Sequence, residues 1–166
     1  MNLIVAVDEK WGIGKNNGLL FSLKGDMQYF REKTLNKVVV MGYNTLLSFP
    51  GSKPLKNRIN IVLAPDGVER DDCTVCHTLE ETFAEISKYD SEEVFIIGGA
   101  MFYRTMYPYC EKAYITHVYK DGEATVFFDD LTKLENWKSE PLSEELEENG
   151  LKYRFFLYRN SAPLKF

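Results

Sequence analysis

Cysteine is scarce in this chain: Cys73, Cys76 and Cys110 are an odd number and too few for a disulfide-dense secreted scaffold. Positive charge is limited as well. The 20 Lys and Arg against 25 Asp and Glu leave a net charge of -5, which argues against a broad nucleic-acid surface, since phosphate binding needs clustered cations. Long apolar runs are missing. The opening MNLIVAVDEK has no basic start and meets acids after five apolar residues, so no signal peptide is expected, and no stretch approaches a membrane span. These absences predict a protein of the reducing cytoplasm. No GxxxxGK[ST] loop, nucleophile elbow or Ser-His-Asp pattern occurs, and the two histidines lack metal-pair spacing, so hydrolase and kinase readings are weak. Cys73 to His77 spells CTVCH, a formal match to haem attachment. Without an export signal, and with residues that alternate as in a short strand, it predicts neither haem nor zinc, for which Cys110 or His117 would complete only three of four ligands.

What is present suits one domain over residues 1–166 with a sizeable core, because 45% of the residues are apolar. NLIVAV at 2–7 is a near-continuous β-branched run and predicts a central strand buried on both faces. The glycine-rich DEKWGIGKNNGLLF follows, either a surface connection or a loop able to close over a ligand. KVVVM at 37–41 predicts a second strand, and GYNT a turn with Asn44 or Thr45 capping a helix over 45–49. INIVLA at 59–64 is a third strand, closed by a PDG turn. TLEE from Thr78 is a capping box for a helix over 79–89. VFIIGGAMFYRTMY gives a strand, the Gly98-Gly99 pair and another helix. That pair either cradles an anion or only lets helix and sheet pack closely. KAYITHVY, TVFFDD and LKYRFFLYR predict antiparallel pairing at the end. The class is α/β, with the glycine turns at the carboxyl ends of parallel strands, where ligands bind.

SLKGDMQYFREKT, residues 22–34, predicts an amphipathic helix in which the acid Asp26 shares or borders the apolar face of Met27 and Phe30. An acid in the first turn complements the macrodipole without any further role. The alternative is a carboxyl poised to hydrogen-bond or protonate a bound ring. With Arg58 at the mouth of a strand and two glycine turns, an apolar cleft would suit a planar heterocycle plus a nucleotide.

In order along the chain, LIVAVDEKWGIGKNNGLL, LKGDMQYFREKTLNKVVVMGYNT, NRINIVL, VFIIGGAMFY and YITHV resemble five segments of bacterial-type dihydrofolate reductases. The resemblance implies a mostly parallel twisted sheet of about eight strands, about four helices and an antiparallel C-terminal hairpin. It implies NADPH-dependent reduction of 7,8-dihydrofolate by a monomer. Asp26 resembles the active-site acid that holds the aminopyrimidine edge of the pterin, and Thr116 the threonine behind it. Met27, Phe30, Phe49 and Leu55 resemble the ring-binding walls, and Arg58 the arginine gripping the substrate carboxylate. Ile4, Val5, Ile97 and Tyr103 resemble further substrate contacts. Ala6, Ile13, Gly14, Asn17, Gly18, Leu19, Gly42, Tyr43, Asn44, Thr45, Leu63, Ala64, His77, Gly98, Gly99, Ala100, Met101, Phe102 and again Tyr103 correspond to cofactor contacts.

Departures at the loop, at the cofactor phosphate and at the loop brace accompany the resemblance. Leu20-Phe21 stands where the family commonly has Pro-Trp, Tyr43 where an arginine meets the cofactor 2′-phosphate, and Ala64-Pro65 where hydroxyls sit beside it. Ala124 lies where an acid usually braces the mobile loop. NADH is therefore the alternative donor, with Asn44, Lys53 or a protonated His77 as compensating groups. A related pyrimidine reductase of riboflavin synthesis and a folate- or nucleotide-binding protein without turnover are the competing readings.

Overall fold

The computed structural model describes all residues from Met1 to Phe166. Eleven strands and four helices follow one another as β1 (Asn2–Val7), β2 (Gly12–Gly14), α1 (Lys24–Thr34), β3 (Val38–Gly42), α2 (Tyr43–Ser48), β4 (Ile59–Leu63), β5 (Thr74–Cys76), α3 (Leu79–Ile86), β6 (Val94–Gly98), α4 (Ala100–Met106), β7 (Lys112–Val118), β8 (Val126–Phe127), β9 (Trp137–Pro141), β10 (Leu146–Glu148) and β11 (Leu151–Asn160). The main sheet runs β10-β11-β7-β1-β6-β3-β4-β5, and β9 pairs with another stretch of β11. Its six central strands are mutually parallel, and β11 closes one edge antiparallel to β7. No helix is long and apolar enough to cross a membrane.

Period-two alternation divides the core. Leu3, Val5, Val7, Val38, Val40, Ile61, Val94 and Ile96 face Ile86 of α3 and Phe102 and Met106 of α4. Ile4, Val39, Met41, Val62, Phe95 and Ile97 face the other way, against Leu46 of α2 and Tyr29 and Phe30 of α1. A three-layer sandwich results. After β1 the chain turns toward β3, β4 and β5, then returns to insert β6 beside β1 before crossing to β7. The order reverses between β1 and β6, so a crevice opens at their carboxyl ends.

Several local expectations are corrected. TVFFDD is not part of the main sheet: its β8 pairs with β2 as a separate two-stranded ribbon. Helix α2 begins at Tyr43 with Gly42 as its N-cap, so Asn44 and Thr45 lie inside the helix and cap nothing. The third helix stops at Ile86 and a turn carries the chain to Tyr89. Thr78 caps it as expected, its hydroxyl accepting from Glu81 N at 3.1 Å. Glu81, however, reaches the amide of His77 rather than that of Thr78.

The connection into β4 is fixed by Asn60, 6% exposed, whose amide donates to the carbonyls of Leu55 and Arg58 and whose Oδ1 accepts from Leu55 N. Removing that side chain strands a buried donor and two acceptors. Asn60→Ala is expected to cost about 2 kcal/mol, a fall of roughly 4–8 °C in Tm by calorimetry. An unchanged Tm would refute this role.

Candidate active site

Asp26 is the third residue of α1, and Thr116 of β7, itself 2% exposed, donates its hydroxyl to Asp26 Oδ1 at 2.7 Å. The register places Thr116 opposite Ala6 on β1, so the acid lies above the carboxyl half of the central strand. Burial pushes the Asp26 carboxyl above its ordinary range, and the Thr116 hydrogen bond pulls it partly back. No cation is among the influences on it. Tyr103, 6% exposed on α4, donates to the Ile4 carbonyl at 2.7 Å, and its ionisation is suppressed by burial and by the charge of Asp26.

The two glycine turns converge beside this acid. Gly98 has φ 139°, and a Cβ on it would lie 3.1 Å from Thr45 Oγ1. A Cβ on Gly99 would lie 3.3 Å from the same hydroxyl, and one on Gly42 would face Gly98 and Gly99. Gly42, Thr45 and Gly98-Gly99 therefore form one bare backbone cradle leading into Ala100. Ile97 and Ile4 lie beneath it in the core, while Met101 at its rim is 82% exposed.

The first loop is more structured than a plain connection. Asp8, 1% exposed, accepts from Lys10 N and Gly12 N through Oδ1 and from Gly122 N through Oδ2, at 2.7–2.9 Å. A side chain on Gly12 would collide with Ala124, and Thr125 N donates to the Gly14 carbonyl. Ile13 and Gly14 thus lie in the β2-β8 ribbon. Beyond it, Lys15 and Gly18 exchange backbone hydrogen bonds across Asn16 and Asn17, which adopt positive φ, and Leu19 is 81% exposed. Leu20 and Phe21 pack against Gly122.

The far end is cationic. Arg58 precedes β4 at the amino end of the parallel sheet, donating through Nε to the Lys56 carbonyl and through Nη1 to Thr34 Oγ1 at 3.1 Å. Burial, and then the like charge of Arg31, lower its pKa, and no carboxylate forms a salt bridge with it. An open cavity of about 300 Å³ adjoins it, lined by Asn36, Lys37, Asn57, Arg58 and Ile59. Phe30, Phe49 and Leu55 pack together on the α1 and α2 face between the two ends. Met27 is corrected: it is 58% exposed rather than buried, because the sheet-facing side of α1 carries Tyr29 and Phe30.

At the edge of the sheet, Ala64 is buried beside Leu63, and His77 Nδ1 lies 3.1 and 3.3 Å from the carbonyls of Pro65 and Ala64. Burial opposes protonation of His77, but these carbonyls, with Glu69 and Glu81, raise its pKa overall. Tyr43 packs half-buried against the α2-face cluster, and Asn44 is exposed. Arg70 escaped the sequence reading. It is already engaged, paired with Asp72 at 2.7 Å and donating to the Ser52 carbonyl. Asp8 also went unnoticed. Its signal was an acid at the end of a buried strand next to a glycine-rich loop. The CTVCH cysteines remain free, Cys76 within the core and Cys73 half-buried.

An acid without a cationic partner above the switch point of a parallel sheet, a glycine turn beside it and an arginine without a carboxylate partner at the far end make a crevice of the kind in which α/β proteins take a planar ligand with an anionic tail. Comparison with known proteins narrows the class. The family described as dihydrofolate reductase matches residues 1–160. The chain is 35% identical over 169 residues to dihydrofolate reductase of Bacillus subtilis, covering 99% of this chain and 97% of the relative. It is 32% identical over 161 residues to that of Staphylococcus haemolyticus (95% and 94%) and 35% identical over 182 residues to that of Schistosoma mansoni (95% and 95%). The chain belongs to the dihydrofolate reductase family.

The raised pKa of Asp26 carries a stability consequence. Folding favours its protonated form, so the penalty is absent below the unfolded carboxyl value near 4, grows as pH rises, and is complete above the folded value. Asp26→Asn should therefore raise Tm at pH 8 and leave it nearly unchanged near pH 4. Calorimetry at both pH values checks this, and a lower Tm at pH 8 would contradict it.

Proposed function

We propose that Asp26, Thr116 and Arg58 are the working groups in an NADPH-dependent reduction of 7,8-dihydrofolate to 5,6,7,8-tetrahydrofolate. Family membership assigns the reaction and a nicotinamide cofactor. The observation that carries the residue roles is the Thr116-held, cation-free carboxylate of Asp26. In the ionised form Asp26 accepts from the aminopyrimidine edge of the pterin, and in a poorly solvated site its field raises the basicity of N5. It holds the ring from the far edge, so water admitted past the first loop delivers the N5 proton. Thr116 fixes the orientation of the carboxylate.

The residues fit the cofactor because Gly98 and Gly99 carry no side chain and the room a Cβ would take at either is already filled by Thr45 Oγ1, so backbone and hydroxyl are presented together. The bound nicotinamide supplies the hydride for pterin C6. Gly42, Thr45, Gly98, Gly99 and Ala100 would hold the dinucleotide backbone, with Ala6, Ile13, Gly14, Asn17, Gly18, Leu19, Met101, Phe102 and Tyr103 around the nicotinamide end. Leu63, Ala64, Tyr43, Asn44 and His77 would meet the adenosine end. Exposed Met27, Leu19 and Met101 would gain cover from bound ligands. Ile4, Val5, Ile97, Phe30, Phe49 and Leu55 would line the substrate side, and Arg58, lacking a carboxylate partner, would pair with the α-carboxylate as a fork. Three free thiols accord with the reducing cytoplasm, where the protein would act as a monomer.

Purified protein should oxidise NADPH only when dihydrofolate is added. Asp26→Asn should lose at least a hundredfold in kcat at neutral pH, and Arg58→Leu should raise KM for dihydrofolate tenfold or more with little change in kcat. Absence of turnover in folded protein overturns the assignment. Of Asn44, Lys53 and His77, the groups that could take a 2′-phosphate in place of the missing arginine, His77 is the one whose charge changes near neutral pH. Its raised pKa keeps it protonated at lower pH, so preference for NADPH over NADH should be about fivefold greater at pH 6.5 than at pH 8.5. The ratio of kcat/KM for the two donors measures this. His77→Leu should flatten it, and a flat wild-type ratio would exclude His77 from donor selection.

A further inference from the structure

The helix that carries Asp26 has no cap of its own. Its N-cap residue, Leu23, is extended (φ -113°, ψ 116°) and offers no side-chain acceptor, although the first N–H groups of a helix have no partner within it. Both leading amides are instead taken by one distant carboxylate. Lys24 N donates to Glu148 Oε2 at 2.8 Å and Gly25 N to Glu148 Oε1 at 3.1 Å, across more than 120 residues of chain. Those two amides, and then the charge of Lys24, hold the Glu148 carboxyl below its usual range, so it meets the helix as an anion.

We propose that Glu148 is a positioning residue for Asp26, capping the helix in trans and fixing the first turn against the strand that carries Thr116. This rests on the catalytic reading of Asp26. Three features aim the carboxylate. Asn149 and Gly150, both at positive φ, make the tight turn between β10 and β11, which fixes where Glu148 points. Tyr153 of β11 occupies the space that a side chain on Gly25 would need, drawing the helix end close to the hairpin. One turn further, Tyr29 stacks on Phe155 at 3.9 Å and 10°.

The same hairpin strand is registered on β7, with Phe155 opposite Thr116 and Tyr153 opposite Val118. One element therefore braces both partners of the 2.7 Å Asp26–Thr116 bond. The aromatic stack secures the second turn of α1. The first turn, where Asp26 lies, is held by the Glu148 bonds, the Thr116 bond and the packing of Leu23 and Gly25 against Val118 and Tyr153. Without Glu148 the leading turn is free to fray, and the distance from acid to threonine is no longer set.

The test compares Glu148→Ala and Glu148→Gln with wild type. Amide exchange at Lys24 and Gly25, followed by NMR on the whole protein, should quicken at least tenfold in Glu148→Ala. In folded Glu148→Ala, kcat/KM for dihydrofolate should fall tenfold or more while KM for NADPH stays within twofold. Glu148→Gln, which keeps one acceptor oxygen, should recover to between a third and a half of the wild-type value. A role in stability alone predicts unchanged kcat/KM per folded molecule, or equal losses toward both substrates. Either result, or unchanged exchange at the two amides, overturns the proposal. Should Glu148→Ala fail to fold, Glu148→Gln decides: a two- to threefold loss confined to dihydrofolate supports positioning, and no loss or an equal loss on both substrates refutes it. Wild-type turnover is measured first, so failure of the proposed reaction is distinguished from failure of the cap.

Discussion

Holding one carboxylate without a cation in a largely apolar wall is the constraint on which the site depends. Asp26 has no cation to offset its burial, and the raised pKa is the measure of that imbalance. One hydroxyl, from a strand residue that is almost wholly buried, is its direct stabiliser. A surface ion pair would keep the acid charged more cheaply, but it would also occupy the oxygens that a ligand must reach. The arrangement therefore trades stability for an open acceptor, a pattern common where a fold carries chemistry. Topology makes it available. Inserting β7 beside β1 puts Thr116 level with Ala6, above the place where strand order reverses.

The helix that presents Asp26 also determines the length of the cleft. Asp26 lies in its first turn and Thr34 at its end, and Thr34 Oγ1 accepts from Arg58. Eight residues at 1.5 Å each separate the two by about 12 Å. That distance is fixed by a rigid element and not by loops, so the acid and the cation keep their spacing while the loop above them varies. A ligand planar at one end and anionic at the other is measured against the helix itself. Arg31, on the same helix, adds like charge to Arg58 and leaves the cationic end without an internal partner.

Much of this was legible in sequence because it was local. The β-branched runs predicted β1, β3, β4 and β6 to within a residue or so, Thr78 announced α3, and Gly98-Gly99 marked the turn after β6. The errors share another cause. Met27 was expected to be buried because apolar periodicity treats every apolar residue as core, whereas the sheet-facing side of α1 is taken by Tyr29 and Phe30 and Met27 is left exposed. Asn44 and Thr45 were expected to cap α2, but Gly42 takes the cap position and Thr45 is used to crowd the glycine turn. The Asp8–Gly122 bond, the Glu148 bonds and the pairing of β8 with β2 depend on partners around a hundred residues away. No window of sequence contains both halves of such a contact.

Loop anchoring is where long-range pairing alters the reading most. Leu20-Phe21 and Ala124 suggested a loop deprived of its usual rigidity and brace. Asp8 supplies a different brace at the base: one buried carboxylate takes three amides, two from its own loop and one from Gly122. Gly122 also meets Leu20 and Phe21, so the residues at both ends of the loop converge on one point of the 119–124 segment. Lys10–Asp121 and the backbone bond from Thr125 to Gly14 reinforce the same junction. Residues 15–19 at the tip are exposed and tied only by the Lys15–Gly18 bridge and a long, exposed Lys15–Glu123 contact. The tip is accordingly the least anchored part of the loop, whereas its base is tied to the 119–124 segment and, through Phe21, to the Leu23, Val118 and Tyr153 cluster beside the first turn of α1.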